Sequence, residues 1–546
     1  MIPHPKEASE SMKRARRILG TASVLLALVV SMASAFNAKE SIEVYRNIFT
    51  VKVNGQEIQV DNFMLDDMPY VSLVDMVEQL GLEFTWDVRE RLAQVGSKTE
   101  ARTISLKDAV DPFQPAVDLT ELGLRGGLVD AVGLQKGTDW LPMQFLIEGD
   151  RLAIADPASS SGISAVLGLN QRYSLKIYAK NGSSYRVDFT TAGLPDLTPT
   201  GERRVVMVPA MPEKGFHWPY FLVLPSDAYK AANQGHKRYL VVESNNTGFG
   251  DPISVTVEKT RRDAEHGYFE YVSEELWSPL LMPAFPRPDV SYYDGTYWRT
   301  LYTHALDRDT ATLHLALSDP KTAQAAEEAI RRAGLTPESL ANLDRQLVAM
   351  IDHAVAYLNQ YGHNVEDQVF LVGYSASGTF TDRFANLHPD KVKAVASGAT
   401  LDDMMLPLAK YGGENLIFPI GTADYEQITG RPFDLKAHNQ VARLIFMGAD
   451  DTNNTLPYSD SYSDDERRII TKLWGEEVLP RAKQLIQLYG EAGGEGIFIL
   501  DKGITHSMSQ EMRQYVVTFL KANRDGADPV YPVPGNPAQL QYTVYE

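Results

Sequence analysis

The sequence of 546 residues contains no cysteine. This absence excludes disulfide bonds, catalysis by a thiolate, metal sites with cysteine ligands and lipid attachment to an N-terminal cysteine. With 44% hydrophobic residues, the chain is long enough for several domains that each bury a core. These domains must therefore be held together by apolar packing rather than by covalent cross-links.

Basic clusters and long apolar runs are also scarce. Outside the N-terminal segment the chain has no block of Lys and Arg, and its formal net charge is -19. Because a charge of this sign repels phosphate backbones, we expect no nucleic acid among its partners. One apolar run, "ILGTASVLLALVV" at residues 18–30, approaches the length of a membrane span, and no other segment does.

That run lies between a basic segment, residues 13–17, and the small residues of "SMASAF". This order is typical of a secretory signal peptide, so we expect residues 1–35 to be cleaved before Phe36. The mature protein is then expected to be secreted or associated with the cell surface, with no membrane attachment. The alternative is an uncleaved membrane anchor. A large exported chain without disulfides favours a bacterial source.

The segment that follows combines alternating apolar residues, an Asn54-Gly55 turn and a short amphipathic helix around residues 73–80. This pattern predicts a small α+β module. With "YVSLVDMVEQLG" and "TWD", residues 45–108 resemble the copper amine oxidase N-terminal-like domain, a stalk in exported proteins of Gram-positive bacteria. The resemblance implies a contact with the cell wall or surface. The segment has no histidine, so we infer no copper site.

Residues 110–200 contain one clear pattern. In "RYSLKIYAKNGSSYRVDF", residues 172–189, apolar residues alternate on both sides of an Asn-Gly pair. This pattern predicts a β-hairpin, and we interpret the region as a small β domain followed by a linker. At the other end of the chain, residues 525–546 are rich in proline, which favours an extended tail.

Residues 205–524 alternate apolar strand-like runs with helical patterns, which predicts an α/β fold: a mostly parallel sheet flanked by helices. A long helix is expected before the fourth of these strands, with Thr336 as its cap, Pro337 in its first turn and Gly362 at its end. The predicted strands are "PYFLVLP", "RYLVVES", "LLMPAF", "QVFLVGY", "VKAVASG", "RLIFMGA" and "GIFILDKG".

Ser375 follows the strand "QVFLVGY" and precedes a helix. This strand-turn-helix context is typical of a nucleophile elbow, in which the turn lifts a serine hydroxyl above the sheet. The usual motif is G-x-S-x-G, whereas here Ser377 stands at the last position and Gly378 comes one place late. The alternative is a tight Gly- and Ser-rich turn without chemistry.

A serine nucleophile needs a base and an acid, which follow it in the order acid, then histidine, in this arrangement. Asp451 lies in the loop after "RLIFMGA", with Asp450 as the neighbouring alternative. His506 follows the last predicted strand and is the only histidine after residue 438. The alternatives are a turn residue for the aspartate and a helix cap for the histidine.

The negative charge that develops on a carbonyl oxygen requires hydrogen-bond donors. One candidate is the backbone N–H of Ala376, the residue after the serine. The other is expected in the loop "ESNNTGFG" after the second predicted strand, where we choose Asn246 and then Asn245. An Asn-rich turn without a catalytic role is the alternative.

Together, these residues resemble the α/β-hydrolase superfamily over residues 205–524, in particular its secreted esterase-like and depolymerase-like serine hydrolases. The resemblance implies that Ser375 attacks a carbonyl, His506 moves the proton and Asp451 orients His506. It implies a small-molecule or polymeric ester as substrate and no metal or organic cofactor. A peptidase of the same fold is one alternative, and a noncatalytic surface or binding protein is another.

Two further segments bear on specificity. "LYTHALDRDTATL" contains His304, Asp307 and Arg308, for which we expect a solvated loop with local ion pairs, although a contact with substrate is the alternative. Residues 400–440 lie between two predicted strands, where this superfamily often carries a cap over the site. Nothing in their composition names a substrate.

Overall fold

The structure of the protein is a computed structural model. It describes residues 45–46, 50–53, 56–60, 62–65, 68–72, 75–77, 82–87, 92–97, 101–155, 167–180, 182–226, 235–246, 248–457 and 461–546. The predicted signal peptide, residues 1–35, lies outside the described residues. The described residues divide into two compact units, with the boundary between Glu100 and Ala101.

The first unit consists of short antiparallel strands and a helical segment at residues 75–77. β1, β4 and β5 form a sheet in the order β1-β4-β5, while β2 pairs with β3 and β6 with β7. The predicted Asn54-Gly55 turn lies outside the described residues, but Val53 pairs with Gln56 on either side of it. The strands are β1 (Tyr45–Arg46), β2 (Val51–Val53), β3 (Gln56–Ile58), β4 (Asn62–Leu65), β5 (Met68–Val71), β6 (Leu82–Asp87) and β7 (Leu92–Ser97).

The second unit begins with two β-sheets, in the orders β11-β10-β14-β15-β8 and β12-β13-β9. The predicted hairpin is present as β14 and β15, in which Tyr173 pairs with Phe189 and Leu175 with Val187. The strands are β8 (Arg102–Ser105), β9 (Ala116–Asp118), β10 (Val129–Lys136), β11 (Asp139–Leu141), β12 (Gln144–Glu148), β13 (Arg151–Ala155), β14 (Arg172–Ala179) and β15 (Ser184–Thr190).

Strand β8 corrects the predicted boundary of the N-terminal module, which we expected to extend to residue 108. Its residues pair in parallel with β15, for example Ile104 with Val187. A parallel partner lies far away in the sequence, so the local pattern around residue 104 could not reveal it. The strand therefore belongs to the second unit.

The rest of the second unit alternates strands and helices. The strands are β16 (Arg204–Val208), β17 (Tyr220–Leu224), β18 (Arg238–Glu243), β19 (Leu280–Pro283), β20 (Ser291–Tyr293), β21 (Trp298–Thr300), β22 (Val365–Tyr374), β23 (Val392–Gly398), β24 (Lys410–Tyr411), β25 (Glu414–Asn415), β26 (Ala442–Gly448), β27 (Gly496–Asp501) and β28 (Leu540–Tyr545). The helices are α1 (Ile253–His266), α2 (Glu270–Leu276), α3 (Arg308–Ala311), α4 (Leu313–Ser318), α5 (Ala323–Arg332), α6 (Pro337–Leu340), α7 (Leu343–Gln360), α8 (Ala376–Leu387), α9 (Tyr425–Thr429), α10 (Leu435–Asn439), α11 (Asp464–Trp474), α12 (Val478–Glu491) and α13 (Gln510–Ala522).

Nine of these strands form one sheet in the order β16-β17-β19-β18-β22-β23-β26-β27-β28. The six strands from β19 to β27 in that order are mutually parallel, and β16, β17 and β28 are antiparallel to their neighbours. All seven predicted strands are present in this sheet, so the predicted α/β class is confirmed. β22 lies at its centre and carries the candidate serine at its carboxyl end.

Helices cover both faces of this sheet. Along β22, Val369 and Leu371 belong to a core that also contains Leu347 of α7, whereas Phe370 and Val372 belong to a second core with α2 and α13. Successive residues of a strand point to opposite faces, so a strand covered on both sides is apolar throughout. This explains why these strands are uninterrupted apolar runs in the sequence.

Two predictions differ from the structure. The predicted long helix is divided into α6 and α7, because Asn342 adopts a left-handed backbone with φ 55°. The predicted tail, residues 525–546, ends in β28, which pairs antiparallel with β27 along its whole length. Antiparallel pairing at the edge of the sheet gives Leu540 a buried position that a free tail would not have.

Candidate active site

Ser375 occupies a sharp turn between β22 and α8. Its φ is 59° and its ψ is -130°, a combination that is uncommon for a residue other than glycine and that stores strain. The Ser375 N–H donates to the Gly398 carbonyl at 3.0 Å, and the Ser375 carbonyl accepts from the Thr379 N–H at 2.9 Å. The turn is thus held by the neighbouring strand β23 on one side and by α8 on the other.

The residues around Ser375 explain why the departure from G-x-S-x-G is tolerated. A Cβ on Gly373 would lie 2.3 Å from the Ser377 carbonyl oxygen, and a Cβ on Gly378 would lie 2.3 Å from the Gly398 carbonyl oxygen. Both glycines are therefore required for close packing of α8 against β22 and β23. The Ser377 hydroxyl instead accepts from the Tyr374 N–H at 2.9 Å and donates to the Tyr374 carbonyl at 3.0 Å.

The structure brings Asp451 and His506 together although 55 residues separate them. His506 Nδ1 lies 2.8 Å from a carboxylate oxygen of Asp451. The Asp451 side chain is 3% exposed and that of His506 is 34% exposed. The other carboxylate oxygen of Asp451 accepts from the Asn453 N–H at 2.9 Å. Asp450, the alternative acid, is exposed.

The loops that carry this pair pack closely at the carboxyl ends of β26 and β27. A Cβ on Gly448 would lie 2.1 Å from the Ile504 carbonyl oxygen, so only glycine admits this approach. The Asp450 N–H donates to the same carbonyl at 3.0 Å. The Tyr374 hydroxyl donates to the Ser507 carbonyl at 2.7 Å, and its ring centre lies 5.3 Å from that of His506. The residue before the serine thus supports the histidine loop.

Ser375 and His506 lie on neighbouring loops, but no hydrogen bond joins their side chains in the part of the chain that the structure describes. His506 Nε2 instead lies 3.4 Å from the side-chain nitrogen of Asn453. An amide N–H directed at Nε2 fits a neutral imidazole that donates from Nδ1 to Asp451. Hydrogen bonds to a catalytic base are often long before substrate binds.

The candidate oxyanion donors differ in their surroundings. Ala376 begins α8, where a first-turn N–H has no acceptor within the helix. Asn246 is exposed. It follows the end of β18 by three residues, and Ser375 follows Val372 of β22 by three residues. Because Glu243, the last residue of β18, pairs with Val372, both loops leave the same edge of the sheet. The Asn245 side chain is already used: it donates to the Phe285 carbonyl at 2.8 Å and accepts from the Phe285 N–H at 3.1 Å. We therefore assign its side chain a structural role.

A cavity of about 130 Å³ lies beside Ser375. Ser375 and Ala376 form one side of it, and Asp402 and Asp403, which follow β23, form another. Residues 453–455, after β26, and Ser461 complete it, together with a segment after β21. The remaining lining residues are His304, Ala305, Thr379, Ala399, Asn453, Asn454, Thr455 and Ser461.

The sequence analysis did not single out Asp402 and Asp403. Asp402 accepts a hydrogen bond from the fully buried guanidinium of Arg481 at 2.6 Å. Burial and the neighbouring charge of Asp403 raise the pKa of Asp402, while Arg481 opposes that rise. A usable signal was present, because ligands of open α/β sheets bind at the carboxyl ends of the strands and this acidic pair follows β23 there.

The segment with His304, Asp307 and Arg308 is not the solvated loop that we expected. Asp307 is fully buried, and one of its carboxylate oxygens accepts from the N–H groups of Tyr302 and Thr310. His304 is also buried and lines the cavity. Helix α3 begins directly after Asp307, whose side chain caps it, and this non-local packing removes the segment from water. We call the buried and partly buried charged residues at and near this side of the cavity the ionic wall: Arg299, Asp307, Arg308, Asp309, Arg383, Asp402, Asp403, Glu466 and Arg481.

Burial raises the pKa of Asp307 to about 6 and that of Asp309 to about 7, the latter also through the charge of Asp307. The Arg299 guanidinium lies 3.5 Å from the carboxylate of Asp309 and 2.7 Å from the carboxylate of Asp294. A carboxyl group with a raised pKa holds its proton more readily than in water. The ionic wall is therefore a region where carboxylates are crowded and incompletely neutralised.

No known family model and no curated protein matches the chain. The resemblance of residues 45–108 to the copper amine oxidase N-terminal-like domain thus finds no support. Among solved structures, the chain is similar to poly(aspartic acid) hydrolase-1 from Sphingomonas sp. KT-1, with 16% identity and a TM-score of 0.34 over 59% of this chain and 98% of that chain.

It is also similar to a poly(3-hydroxybutyrate) depolymerase from Bordetella parapertussis, with 14% identity and a TM-score of 0.34 over 60% of this chain and 92% of that chain. An S-formylglutathione hydrolase from Agrobacterium tumefaciens shows 13% identity and a TM-score of 0.30 over 60% of this chain and 98% of that chain.

None of the helices among the described residues combines the length and apolar character that crossing a bilayer requires. Within the same residues, no group of three or more His, Asp or Glu side chains is arranged to hold a metal ion.

Proposed function

We propose that the protein is a secreted serine hydrolase of the α/β-hydrolase fold that cleaves carboxylic esters. In this proposal Ser375 is the nucleophile, His506 is the general base and Asp451 orients it. The hydrogen bond between His506 Nδ1 and Asp451 carries the proposal, because two residues chosen from chain order alone meet at 2.8 Å beside the strained turn of Ser375.

The chemistry follows from these positions. Ser375 Oγ attacks the ester carbonyl carbon, and its proton passes to His506 Nε2. The carbon–oxygen bond to the alcohol then breaks, and His506 returns the proton to the leaving alkoxide. Water then attacks the acyl carbon, and His506 takes its proton. The bond from that carbon to Ser375 Oγ breaks, and His506 returns the proton to Ser375 as the acid is released. The N–H groups of Ala376 and of the loop at Asn246 are the proposed donors to the oxygen that becomes negative.

One local movement must precede the first step. His506 Nε2 has to exchange its contact with the Asn453 amide for the Ser375 hydroxyl. The His506 side chain is one-third exposed, so its ring can turn without unpacking a core.

The test is covalent labelling of the purified protein with a fluorophosphonate probe. Wild-type protein should be labelled, Ser375→Ala should not, and Ser377→Ala should remain labelled as a matched serine two residues away. Hydrolysis of p-nitrophenyl butyrate should follow the same order. Labelled protein that cleaves peptide anilides but not esters would establish the peptidase alternative instead.

The noncatalytic alternative has one observation in its favour, the missing hydrogen bond between Ser375 and His506 among the described side chains. A surface or binding protein with a hydrolase-like domain needs no such bond. Wild-type protein that remains unlabelled, while its circular dichroism and thermal unfolding show a folded chain, would favour this alternative and reject the esterase.

A further inference from the structure

The charge of the cavity beside Ser375 is unbalanced. Asp402 has a counter-ion, since its carboxylate and its carbonyl both accept from Arg481. Asp403 has none: within the described residues its carboxylate has one hydrogen-bonding partner, the Thr455 hydroxyl, at 3.1 and 3.3 Å from the two oxygens. A neutral hydroxyl cannot cancel a carboxylate charge.

Asp403 is nevertheless almost completely buried, with 6% of its surface exposed. A buried carboxylate without a cation is costly, and such groups are normally paired or bound to a ligand. Among the described residues, the fully buried Arg383 forms no ion pair with Asp403, and its Nε and Nη2 have no hydrogen-bond partner. It donates to the carbonyls of Ala305 and Ser461, and its charge acts on Asp307.

A second observation at the same cavity is independent of the carboxylates. The Ser461 hydroxyl is buried, lines the cavity, and has no hydrogen-bond partner among the described residues. A buried hydroxyl without a partner costs free energy unless a ligand or water completes it. Asp403 and Ser461 thus leave one charge and one hydrogen bond to be satisfied from within the cavity.

We propose that this cavity binds a small cationic group of the substrate, with Asp403 as its counter-ion and Ser461 as a hydrogen-bonding neighbour. The proposal rests on the proposed ester hydrolysis and narrows its substrates to esters that carry an ammonium, trimethylammonium or guanidinium group. The cavity of about 130 Å³ corresponds to about four water volumes, which suits a head group of about four heavy atoms. Since Ser375 lines the same cavity, the cation lies only a few bonds from the ester carbon.

The test compares esters of equal shape and different charge. One pair is p-nitrophenyl 4-(trimethylammonio)butanoate and p-nitrophenyl 5,5-dimethylhexanoate, with the cation in the acyl group. The other is butyrylcholine and 3,3-dimethylbutyl butyrate, with the cation in the alcohol. A charge-assisted contact predicts a kcat/KM about 10- to 100-fold higher for the cationic member of at least one pair.

Asp403→Asn should reduce that ratio to about one, and the ratio cancels any general loss of activity in the variant. The matched control is Asp367→Asn, which removes the same charge from an exposed position on β22 and should leave the ratio unchanged. Equal rates for both members of both pairs in the wild-type protein would overturn the proposal, as would a preference that survives in Asp403→Asn.

A binding measurement separates this proposal from the proposed activity. Calorimetric titration of the full chain with butyltrimethylammonium should show binding to wild-type protein and to Ser375→Ala, with at least a tenfold loss in Asp403→Asn. Binding with this pattern but without ester hydrolysis would keep the cation site and reject the esterase. Hydrolysis of neutral esters without binding of the cation would keep the esterase and reject the cation site.

Discussion

The Asp451–His506 pair and the ionic wall bury charge differently. In the pair, a single carboxylate, Asp451, is buried against a histidine that remains one-third exposed. The ionic wall contains several carboxylates and guanidinium groups that are almost fully buried; Arg481, for example, has no exposed side-chain surface. Solvent reaches the histidine of the pair, whereas a charge such as that of Arg481 is enclosed by protein.

This difference predicts that substitutions in the Asp451–His506 pair affect the reaction rate, whereas substitutions in the ionic wall affect the stability of the fold. Removing a charge from the Asp451–His506 pair should change the rate and leave the fold nearly intact, because one partner can be resolvated. Removing a charge from the ionic wall should unfold the protein more easily, because the partner left behind stays buried. Four predictions, taken in order of expected effect, follow from this comparison.

Asp451→Asn should give the largest effect on activity. An amide in place of the carboxylate can hold the ring by donating to it, which favours the tautomer with its proton on Nε2, where Ser375 needs an acceptor. We expect kcat to fall about 10⁴-fold, with little change in the midpoint of thermal unfolding. Steady-state ester hydrolysis and calorimetry measure the two quantities.

Asp450→Asn is the matched control for that substitution, since it removes the same charge from an exposed neighbour. Its activity should stay within about twofold of wild type, as is usual for surface substitutions. A larger loss in Asp450→Asn than in Asp451→Asn would reverse the assignment of the acid.

Arg481→Met should have the largest effect on stability. It leaves Asp402 buried beside Asp403 without its counter-ion and removes donors from the Gly475 and Glu476 carbonyls. We expect a loss of about 3–5 kcal/mol in the free energy of unfolding, measured in urea. Lys521→Met breaks an exposed ion pair with Glu275 and should cost less than about 1 kcal/mol.

A double substitution shows whether the charge left behind causes the loss. Adding Asp402→Asn to Arg481→Met removes the uncompensated carboxylate and should recover part of the stability. Equal stabilities of the single and double variants would mean that lost packing, rather than charge, determines the cost, and the contrast between the Asp451–His506 pair and the ionic wall would fail.

The sequence allowed the Asp451–His506 pair and the turn of Ser375 to be predicted better than the ionic wall. Ser375, Asp451 and His506 each follow a strongly apolar strand, and the order of the strands was enough to place them. Asp307 looked like a loop residue, because its burial depends on α8 and on residues more than 70 positions away, such as Arg383. Local sequence patterns indicate which strands form. They do not indicate which charged side chains become buried by loops and helices that are distant in the sequence.

The same limit applies to the fold. The seven apolar runs were sufficient to predict the α/β class, since a strand buried on both faces has a clear pattern. β28 was missed because an edge strand is only half buried and follows a proline-rich stretch. Asn342 interrupts a regular apolar stripe with a single left-handed residue, a change that propensity alone does not show.

The pH dependence of stability offers a smaller test of the ionic wall. The pKa of Asp309 is about 7 in the folded protein because of burial and the charge of Asp307, and it is about 4 in an unfolded chain. A raised pKa contributes stability at low pH, which is lost as the pH rises through the folded value. Asparagine does not ionise, so Asp309→Asn removes this loss of stability at high pH.

The stability of Asp309→Asn relative to wild type should therefore improve between pH 5 and pH 9, by about 3 kcal/mol. Urea unfolding of both proteins at the two pH values measures the difference, in which ionisations that are not coupled to Asp309 cancel. A relative stability that does not change between the two pH values would show that Arg299, rather than burial, controls the protonation of Asp309, because a carboxyl group with a lowered pKa is ionised throughout this range.

The smallest expected effect on stability concerns the turn of Ser375, which is held by hydrogen bonds between uncharged groups. Ser377→Ala removes the two hydrogen bonds with the Tyr374 backbone and should cost about 1 kcal/mol in urea unfolding. Ser377→Gly restores the usual motif but adds backbone freedom within α8, so it should cost about 1 kcal/mol more than Ser377→Ala. Both variants should keep the activity of Ser375 within about tenfold, because Gly373 and Gly378 maintain the close contacts of the turn. If Ser377→Gly proved more stable than wild type, the serine at this position would have to be explained by function rather than by the hydrogen bonds that close the turn.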